Sequence, residues 1–520
     1  MAAPTLFKSS AVFSAITFLS RILGYVRDAA IFIAFGAGGA TDAFLVAFRL
    51  PNFLRRLFGE GALSQAFVPV FQEYRTRRGA GEAHQLADRV AGTLAALLLG
   101  VTAVGVLLAP VLIFIFAPGF VGENDRFDMA SQLLRITFPY LLFISLTALA
   151  SGILNSYGRF GAPAFTPVLL NLSMIAAALW LAPLMEQPIT ALAWGVLFGG
   201  VVQLAFQLAW LKRIGIVVRP RLGFRHPGVR RIARLMTPAV LSSGVMQINL
   251  LFDTLIASFL VTGSISWLYL SDRFVELPLA LFGIAIGTVL LPGLSKHHAA
   301  ADPDRFRETL DWGVRGVLLL ALPCLAGLML LAGPILVSLI QYREFTLHDT
   351  QMARFSLIAY AAGLPAFMLV KILAGGFYAR QQPGRPMRIA VAAMVTNMVL
   401  NVVFVVAWEY SETPASHTAL AIATSAAAYL NAALLYRALK RDEVYRIRRR
   451  TRRLLAKVVA ATLVMGAVLF ALIPPLAGWA DWTVIRRALT LTGLVALGAA
   501  IYWLVLAALR VKLAEFVRAR

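Results

Sequence analysis

Long apolar runs recur along the whole of this 520-residue chain, and they limit its possible folds more than any other feature. Each run has about 20 residues or more, which is enough for a helix to cross the hydrocarbon core of a bilayer. Hydrophobic residues make up 60% of the sequence and charged residues 14%, so a water-soluble fold would lack polar side chains for its surface. The runs are continuous rather than alternating, which argues against a barrel of strands. We therefore predict an all-α integral membrane protein.

The apolar runs divide into fourteen predicted transmembrane helices. If the N-terminus is cytoplasmic, thirty-three of the 48 Lys and Arg residues fall on the cytoplasmic side and four on the opposite side. This asymmetry follows the positive-inside rule, so we expect both termini in the cytoplasm. The rule also accounts for the net charge of +23, and we expect the basic stretch 437–453 to contact anionic lipid rather than nucleic acid. The approximate spans are 8–34, 41–72, 90–117, 131–155, 163–183, 189–211, 235–261, 265–295, 309–332, 351–379, 387–408, 416–436, 454–474 and 485–509.

Two sequence matches indicate an internal duplication. Residues 57–71 resemble 281–295 at an offset of 224, and residues 157–163 resemble 378–386 at an offset of 221. Because the repeat contains six predicted helices, an even number, both copies have the same orientation. This predicts two pseudo-symmetric six-helix lobes, a layout typical of transporters. We expect an N-terminal lobe over 1–215, a C-terminal lobe over 216–440, and two further helices over 441–520.

Six of the arginines within the predicted helices lie in the first, second and eighth helices. An arginine that faces lipid at the bilayer centre costs roughly 2.5–3.5 kcal/mol on an insertion scale. We therefore expect these side chains to face water, carboxylates or a ligand in a common solvent-filled cavity. They are Arg21, Arg27, Arg49, Arg55, Arg56 and Arg273, and the neighbouring acidic residues are Asp28, Asp42, Glu60, Asp272 and Glu276.

Spacing places several of these residues on shared helix faces. Arg21 and Asp28 are seven residues apart, two turns along one side of a helix. Nine of the ten basic residues within the spans are arginines, whose planar guanidinium suits bidentate contact with phosphate or carboxylate. A phosphate-bearing or carboxylate-bearing ligand is one interpretation, and ion pairs that tie the helices together are the other. A further stripe, approximate because of Pro51, consists of Asp42, Arg49, Asn52, Arg56 and Glu60.

Two long stretches resemble the MurJ/MviN-type lipid II flippases of the MOP superfamily of exporters. They are "SRILGYVRDAAIFIAFGAGGATDAFLVAFRLPNFLRRLFGEGALSQAFVPVF" at 20–71 and "SDRFVELPLALFGIAIGTVLLPGLSKH" at 271–297. The resemblance covers nearly the whole chain. It implies alternating access, and as cargo the undecaprenyl-diphosphate-linked disaccharide pentapeptide from which peptidoglycan is made. The location it implies is the bacterial cytoplasmic (inner) membrane, with a role in cell wall biogenesis and cell shape.

The resemblance also implies roles for individual residues. The positions that match the family's functional arginines and acidic residues are Arg21, Arg27, Arg55, Arg273, Asp42 and Glu60. Arg49 stands where some relatives carry Lys. The resemblance further implies that the helices over 441–520 form a groove for the polyprenyl tail.

Some members of this family carry a sodium site between helices 7, 11 and 12. The matching positions are Asp253, Asn397, Asn401 and Thr424, and Asn401 stands where a sodium-binding relative is expected to carry Asp. Hydrogen bonding between helices accounts for Asn397 and Asn401 equally well. The sequence contains no GxxxxGK[ST] motif for ATP. We therefore expect no cofactor, and as the driving force the membrane potential, an ion gradient such as that of Na⁺, or downstream consumption of the product.

Three other functions fit parts of the sequence. A different MOP-type exporter, either a polysaccharide-lipid flippase or a drug/cation antiporter, would share the fold, although drug antiporters usually have twelve crossings. An enzyme acting on polyprenyl-diphosphate sugars would need catalytic carboxylates, and a loop on the non-cytoplasmic side offers Glu123, Asp125 and Asp128. A metal-dependent enzyme would need metal ligands, but the adjacent His297 and His298 lack the spacing that lets two histidines share a metal on one helix face. A scaffold for envelope synthesis would not need arginines at mid-depth. We therefore predict a transporter whose partners are the lipid-linked precursor, membrane lipid and the cell-wall synthesis machinery.

Overall fold

The computed structural model describes residues 3–56, 63–122, 124–409 and 415–511. Within these ranges the regular secondary structure is entirely helical, which confirms the predicted fold class. The chain divides into two compact units, Met1–Gly263 and Ser264–Arg520.

The described part of the first unit contains ten α-helices. Its apolar core lies where α3, α4 and α7 meet, and there Phe67, Phe71 and Tyr74 are almost fully buried. The helices are α1 (Ala3–Phe35), α2 (Gly39–Arg55), α3 (Ser64–Arg77), α4 (Ala80–Leu107), α5 (Ala109–Phe116), α6 (Asn124–Thr137), α7 (Tyr140–Ser156), α8 (Gly161–Ala176), α9 (Thr190–Arg213) and α10 (Pro227–Ser258).

The loop before α10 lies along the surface of α4. The backbone N–H of Arg221 donates to the carbonyl oxygen of Asp88 at 2.9 Å, next to Gly92, where a side chain would overlap the loop backbone. Pro227 occupies the first turn of α10, where its missing N–H costs nothing, and His226 Nδ1 accepts the N–H of Gly228 at 3.2 Å.

Helix α10 packs against α3, α4 and α5, so it lies in the first compact unit. The predicted lobe boundary between residues 215 and 216 falls before this helix. Compactness and repeat symmetry are different properties, and the division into 1–215, 216–440 and 441–520 stays a prediction.

The described part of the second unit contains nine α-helices. A six-residue π-helical segment, Leu279–Ile284, joins the first two of them, and such segments often mark functional positions in a helix. The helices are α11 (Ser264–Pro278), α12 (Ala285–Ala299), α13 (Pro303–Leu339), α14 (Leu347–Tyr378), α15 (Gly384–Glu409), α16 (Thr418–Arg441), α17 (Arg449–Leu472), α18 (Leu476–Ala480) and α19 (Val484–Ala508).

The last two long helices, α17 and α19, are fastened along α13 by buried polar contacts. Near the start of α13, Asp311 accepts hydrogen bonds from Tyr445 Oη at 2.9 Å and Thr451 Oγ1 at 2.7 Å. Near its end, Arg487 donates to the carbonyl oxygen of Val337 at 3.0 Å. Because both ends are held, we expect α17 and α19 to move together with α13.

Eleven helical segments of the described residues are long and apolar enough to cross a membrane. They correspond to eleven of the predicted spans. The other three spans, 8–34, 41–72 and 235–261, correspond to α1, to α2 with α3, and to α10. The multi-pass architecture is therefore clear, and the count of fourteen stays a prediction.

Candidate functional site

Arg27 is the most deeply buried of the six predicted site arginines, with 7% of its surface exposed. Its Nε and Nη2 atoms donate to Asp28 Oδ1 at 2.9 and 2.6 Å. Its Nη1 atom donates to Asn171 Oδ1 at 3.1 Å, and Asn171 in turn donates to the carbonyl oxygen of Ser20 at 3.1 Å. This network joins α1 to α8 and holds a buried guanidinium group between two apolar helices of the first unit.

Arg21 differs from Arg27 because its side chain is exposed. The seven-residue spacing suggested Asp28 as a neighbour of Arg21. In the structure Asp28 is buried, and the adjacent Arg27 binds its carboxylate.

Asp42 lies at the start of α2 and is almost completely buried. Its Oδ2 atom accepts the backbone N–H of Gly263 at 2.7 Å and lies 3.9 Å from Arg126 Nη1. The Arg126 guanidinium also covers the ring of Phe120 at 4.7 Å from its centre. Asp42 therefore connects α2 to Arg126 on α6 and to Gly263, the last residue of the first unit. Its predicted role in binding cargo stays a prediction.

The arginines of α2 have separate partners. Arg49 donates through Nη1 to Thr254 Oγ1, which joins α2 to α10. Arg55 donates through Nε to Asn52 Oδ1 at 2.8 Å, one turn earlier in the same helix. Arg56 is exposed at the helix end. Of the predicted stripe, Glu60 lies outside the described residues.

In the second unit, Arg273 and Glu276 form an ion pair on α11. Their Nη1 and Oε2 atoms are 2.7 Å apart, with 29% and 52% of the two side chains exposed. The Arg273 guanidinium lies 5.7 Å from the centre of the Tyr269 ring. This pair is accessible, so an incoming anion can compete with Glu276 for the arginine.

Three of the four predicted sodium ligands meet in the second unit. Asn401 Nδ2 donates to Asn397 Oδ1 at 3.3 Å, and Asn397 Nδ2 donates to Thr424 Oγ1 at 3.3 Å. These contacts join α15 to α16. The fourth ligand, Asp253, lies on α10 of the first unit, where Asn249 Nδ2 donates to its Oδ2 at 3.3 Å.

The other predicted candidates lie at helix ends. Asp125 and Asp128 are exposed in the first turns of α6, and Glu123 lies outside the described residues. His297 and His298 lie in the last turn of α12. Among the described residues, no group of three or more His, Cys, Asp or Glu side chains could hold a metal ion.

Sequence reasoning missed four partners of the site residues. Asn171 and Thr254 are ordinary polar residues of apolar helices, and the backbone N–H of Gly263 carries no sequence signal. Arg126 did carry one, because it is one of only four basic residues predicted on the side opposite the cytoplasm.

Each unit supplies guanidinium groups on its helices, some paired with carboxylates and some exposed. Such groups can bind a phosphate or carboxylate directly, or by exchanging one anionic partner for another. The convergence of the arginines of both halves on one cavity stays a prediction.

Comparisons with known proteins agree over nearly the whole chain. The family model of lipid II flippase MurJ matches residues 31–490. A probable lipid II flippase MurJ from Vibrio cholerae is 48% identical over 517 residues, which cover 98% of this chain and 97% of the relative. The lipid II flippase MurJ of Burkholderia cenocepacia is 41% identical over 468 residues, which cover 89% of each chain.

Solved structures of two kinds match this fold. A lipid II flippase MurJ in an inward closed conformation matches with a TM-score of 0.79 and 26% identity, covering 98% of this chain and 100% of that one. An inward-facing multidrug resistance MATE transporter of the MOP superfamily matches with a TM-score of 0.66 and 16% identity, covering 84% and 98% of the two chains. The MATE likeness shows the shared fold alone. The sequence matches and the first structural match together show that this chain belongs to the MurJ family of lipid II flippases.

Proposed function

We propose that this chain is a lipid II flippase of the bacterial cytoplasmic membrane, a transporter and not an enzyme. It carries the undecaprenyl-diphosphate-linked peptidoglycan precursor from the inner to the outer leaflet, and so serves cell wall biogenesis and cell shape. The observation that carries this proposal is the 48% identity to a probable lipid II flippase over 98% of the chain.

The membrane-depth arginines supply the chemistry that this cargo requires. A diphosphate in hydrocarbon is strongly unfavourable unless charged hydrogen-bond donors replace its water. The exposed Arg21 can bind phosphate oxygens directly. Arg273 can do so by releasing Glu276, which is itself half exposed and regains water. Alternating access then exposes the bound headgroup to one side of the membrane at a time.

The polyprenyl tail stays in the membrane while the headgroup moves. The last two long helices, α17 and α19, carry strongly exposed apolar side chains, including Phe470 (76%), Leu463 (68%) and Leu504 (68%). We propose that this surface contacts lipid, the tail included. Peptidoglycan synthesis enzymes on the outer leaflet are the proposed recipients of the precursor.

The proposal is tested in a bacterium whose own lipid II flippase can be depleted. Lipid II on the outer leaflet is measured by its cleavage with an externally added enzyme that acts only on exposed headgroups. Expression of this chain is expected to restore cleavage to the level before depletion, and Arg273→Gln is expected to lower it. Arg452→Gln, which removes an exposed charge from the first turn of α17, serves as the matched control. Unrestored cleavage, with the chain present in the membrane at normal amount, would contradict the proposal.

For the driving force we propose Na⁺ or the membrane potential. Amide and hydroxyl oxygens suit a hard cation, and Asn397, Asn401 and Thr424 bring such oxygens together. Two hydrogen bonds join these three side chains, and none of the three carries a negative charge. Replacing external Na⁺ by K⁺ at a constant membrane potential separates the two drives: only a sodium-driven flippase slows.

A further inference from the structure

A basic pocket lies between the start of α15 and the end of α16 in the second unit. Its volume is about 600 Å³, within the range of small-molecule sites. Four arginines and one carboxylate line it together with an apolar floor. The charged residues are Arg385, Arg388, Arg437, Arg441 and Asp442, and the apolar ones are Ile389, Ala392, Leu434 and Ala438.

The single carboxylate of the pocket is already engaged. Asp442 Oδ2 accepts a hydrogen bond from Arg380 at 3.1 Å and another from Arg385. Hydrogen bonds from these two arginines hold the pKa of Asp442 below its usual range, so its charge persists at neutral pH.

The other three guanidinium groups have no such partner. Arg388, Arg437 and Arg441 are exposed, and none of them has a hydrogen-bonded or ion-paired partner among the described residues. They converge from two helices on one cavity, which therefore carries an uncompensated positive charge. An anion is the complementary ligand.

The apolar surface next to the pocket indicates what kind of anion. From Arg388, a stripe of exposed apolar side chains continues along α15 at helical spacing, through Ala392, Val395 and Val399. The eleven helical steps from Arg388 to Val399 rise about 16 Å, close to the depth of one leaflet's hydrocarbon. A ligand with a negative headgroup and an apolar chain matches both features.

We propose that this pocket binds the phosphate headgroup of an anionic membrane phospholipid, with one acyl chain lying along the stripe on α15. The predicted topology places the pocket at the cytoplasmic surface, where anionic lipids attract basic residues. The pocket shares no residue with the predicted cargo site, and the inference does not depend on the cargo of the transporter.

The test measures binding of a fluorescent phosphatidylglycerol to the purified full chain in detergent. Phosphatidylcholine with the same acyl chains and free glycerol phosphate are the comparison probes. The pocket variant is Arg388→Gln with Arg437→Gln. The matched control, Lys212→Gln with Arg213→Gln, removes two exposed charges from the end of α9, outside the basic stretch 437–453.

The pocket variant is expected to bind phosphatidylglycerol about 25-fold more weakly, since each basic residue near anionic lipid contributes a factor of about five. The control variant is expected to change the affinity less than twofold. Asp442→Asn is expected to act in the opposite direction and tighten binding, because it frees the two arginines that now bind the carboxylate. Arg388→Lys with Arg437→Lys retains the charge and is expected to retain most of the affinity, even if the glutamine variant folds poorly.

Three results would overturn the proposal. Equal losses in the pocket and control variants would show diffuse attraction by surface charge. Equal affinities for phosphatidylglycerol and phosphatidylcholine would show that negative charge is not recognised. Binding of glycerol phosphate as tight as that of the lipid would identify a soluble phosphate as the ligand.

Discussion

Replacing Asp28 by asparagine is expected to destabilise the protein strongly. The carboxylate accepts two hydrogen bonds from Arg27, at 2.9 and 2.6 Å, and the two side chains are only 4% and 9% exposed. Asparagine preserves the shape but removes the charge, which leaves a buried guanidinium with Asn171 as a neutral partner. Removing one member of a buried ion pair costs about 3–5 kcal/mol, so we expect a loss of unfolding free energy of that size.

The double variant Arg27→Gln with Asp28→Asn distinguishes this cause from a general effect of substitution. Removing both charges leaves no uncompensated ion, and replacing a buried pair by neutral groups is often close to neutral for stability. We therefore expect the double variant to be more stable than Asp28→Asn alone. Arg21→Gln, an exposed change in the same helix, is expected to shift stability by about 0.5 kcal/mol or less.

The assay is denaturant unfolding of the purified full chain in one detergent, followed by far-UV circular dichroism. The reasoning is refuted if Asp28→Asn is as stable as the parent. It is also refuted if the double variant is no more stable than the single one, because the cost would then not come from an unpaired charge.

Three further sites test other parts of the structure, two in the same unfolding assay and the third by thermal melting. Arg487→Ala is expected to lower the free energy of unfolding by about 3 kcal/mol, because the buried guanidinium donates to carbonyl groups at the end of α13. Its control, Arg486→Ala, loses a contact with an indole ring, which is worth about 1 kcal/mol or less. Gly92→Ala is expected to lower the free energy of unfolding by about 1–3 kcal/mol, since its Cβ would lie 2.3 Å from a backbone oxygen of the loop before α10. Its control, Gly100→Ala on the same helix, meets open space and should be neutral or stabilising. Burial lowers the pKa of His226, whose neutral ring caps α10. The stability that this cap contributes is therefore complete above the unfolded-state pKa of about 6.5 and is lost as the pH falls below it. The melting temperatures at pH 7.5 and pH 5 should differ less in His226→Asn, which retains a capping oxygen, than in the parent.

The features that depend on local sequence could be predicted. Hydrophobic runs determine where helices form in a membrane, and the all-helical fold followed from them. The pairing of Arg273 with Glu276 follows from three-residue spacing on one helix. Both inferences needed only neighbouring residues.

Contacts between residues far apart in the chain could not be predicted from the sequence. Asn171 lies 144 residues from Arg27, and the N–H that binds Asp42 lies 221 residues away. Helical spacing assigns a residue to a face but does not identify the helix opposite that face. The partner of Asp28 was missed for another reason: adjacent residues on a helix point in different directions, but the long side chain of Arg27 bends back to the carboxylate.

The affinity of the purified full chain for lipid II, with individual arginines neutralised, tests most directly whether these arginines hold a lipid-borne diphosphate. We predict that Arg21→Gln and Arg273→Gln each weaken binding at least tenfold, while Arg452→Gln, outside the site, leaves it within twofold of the parent. Binding that is unchanged in both site variants, with both proteins folded, would contradict the account.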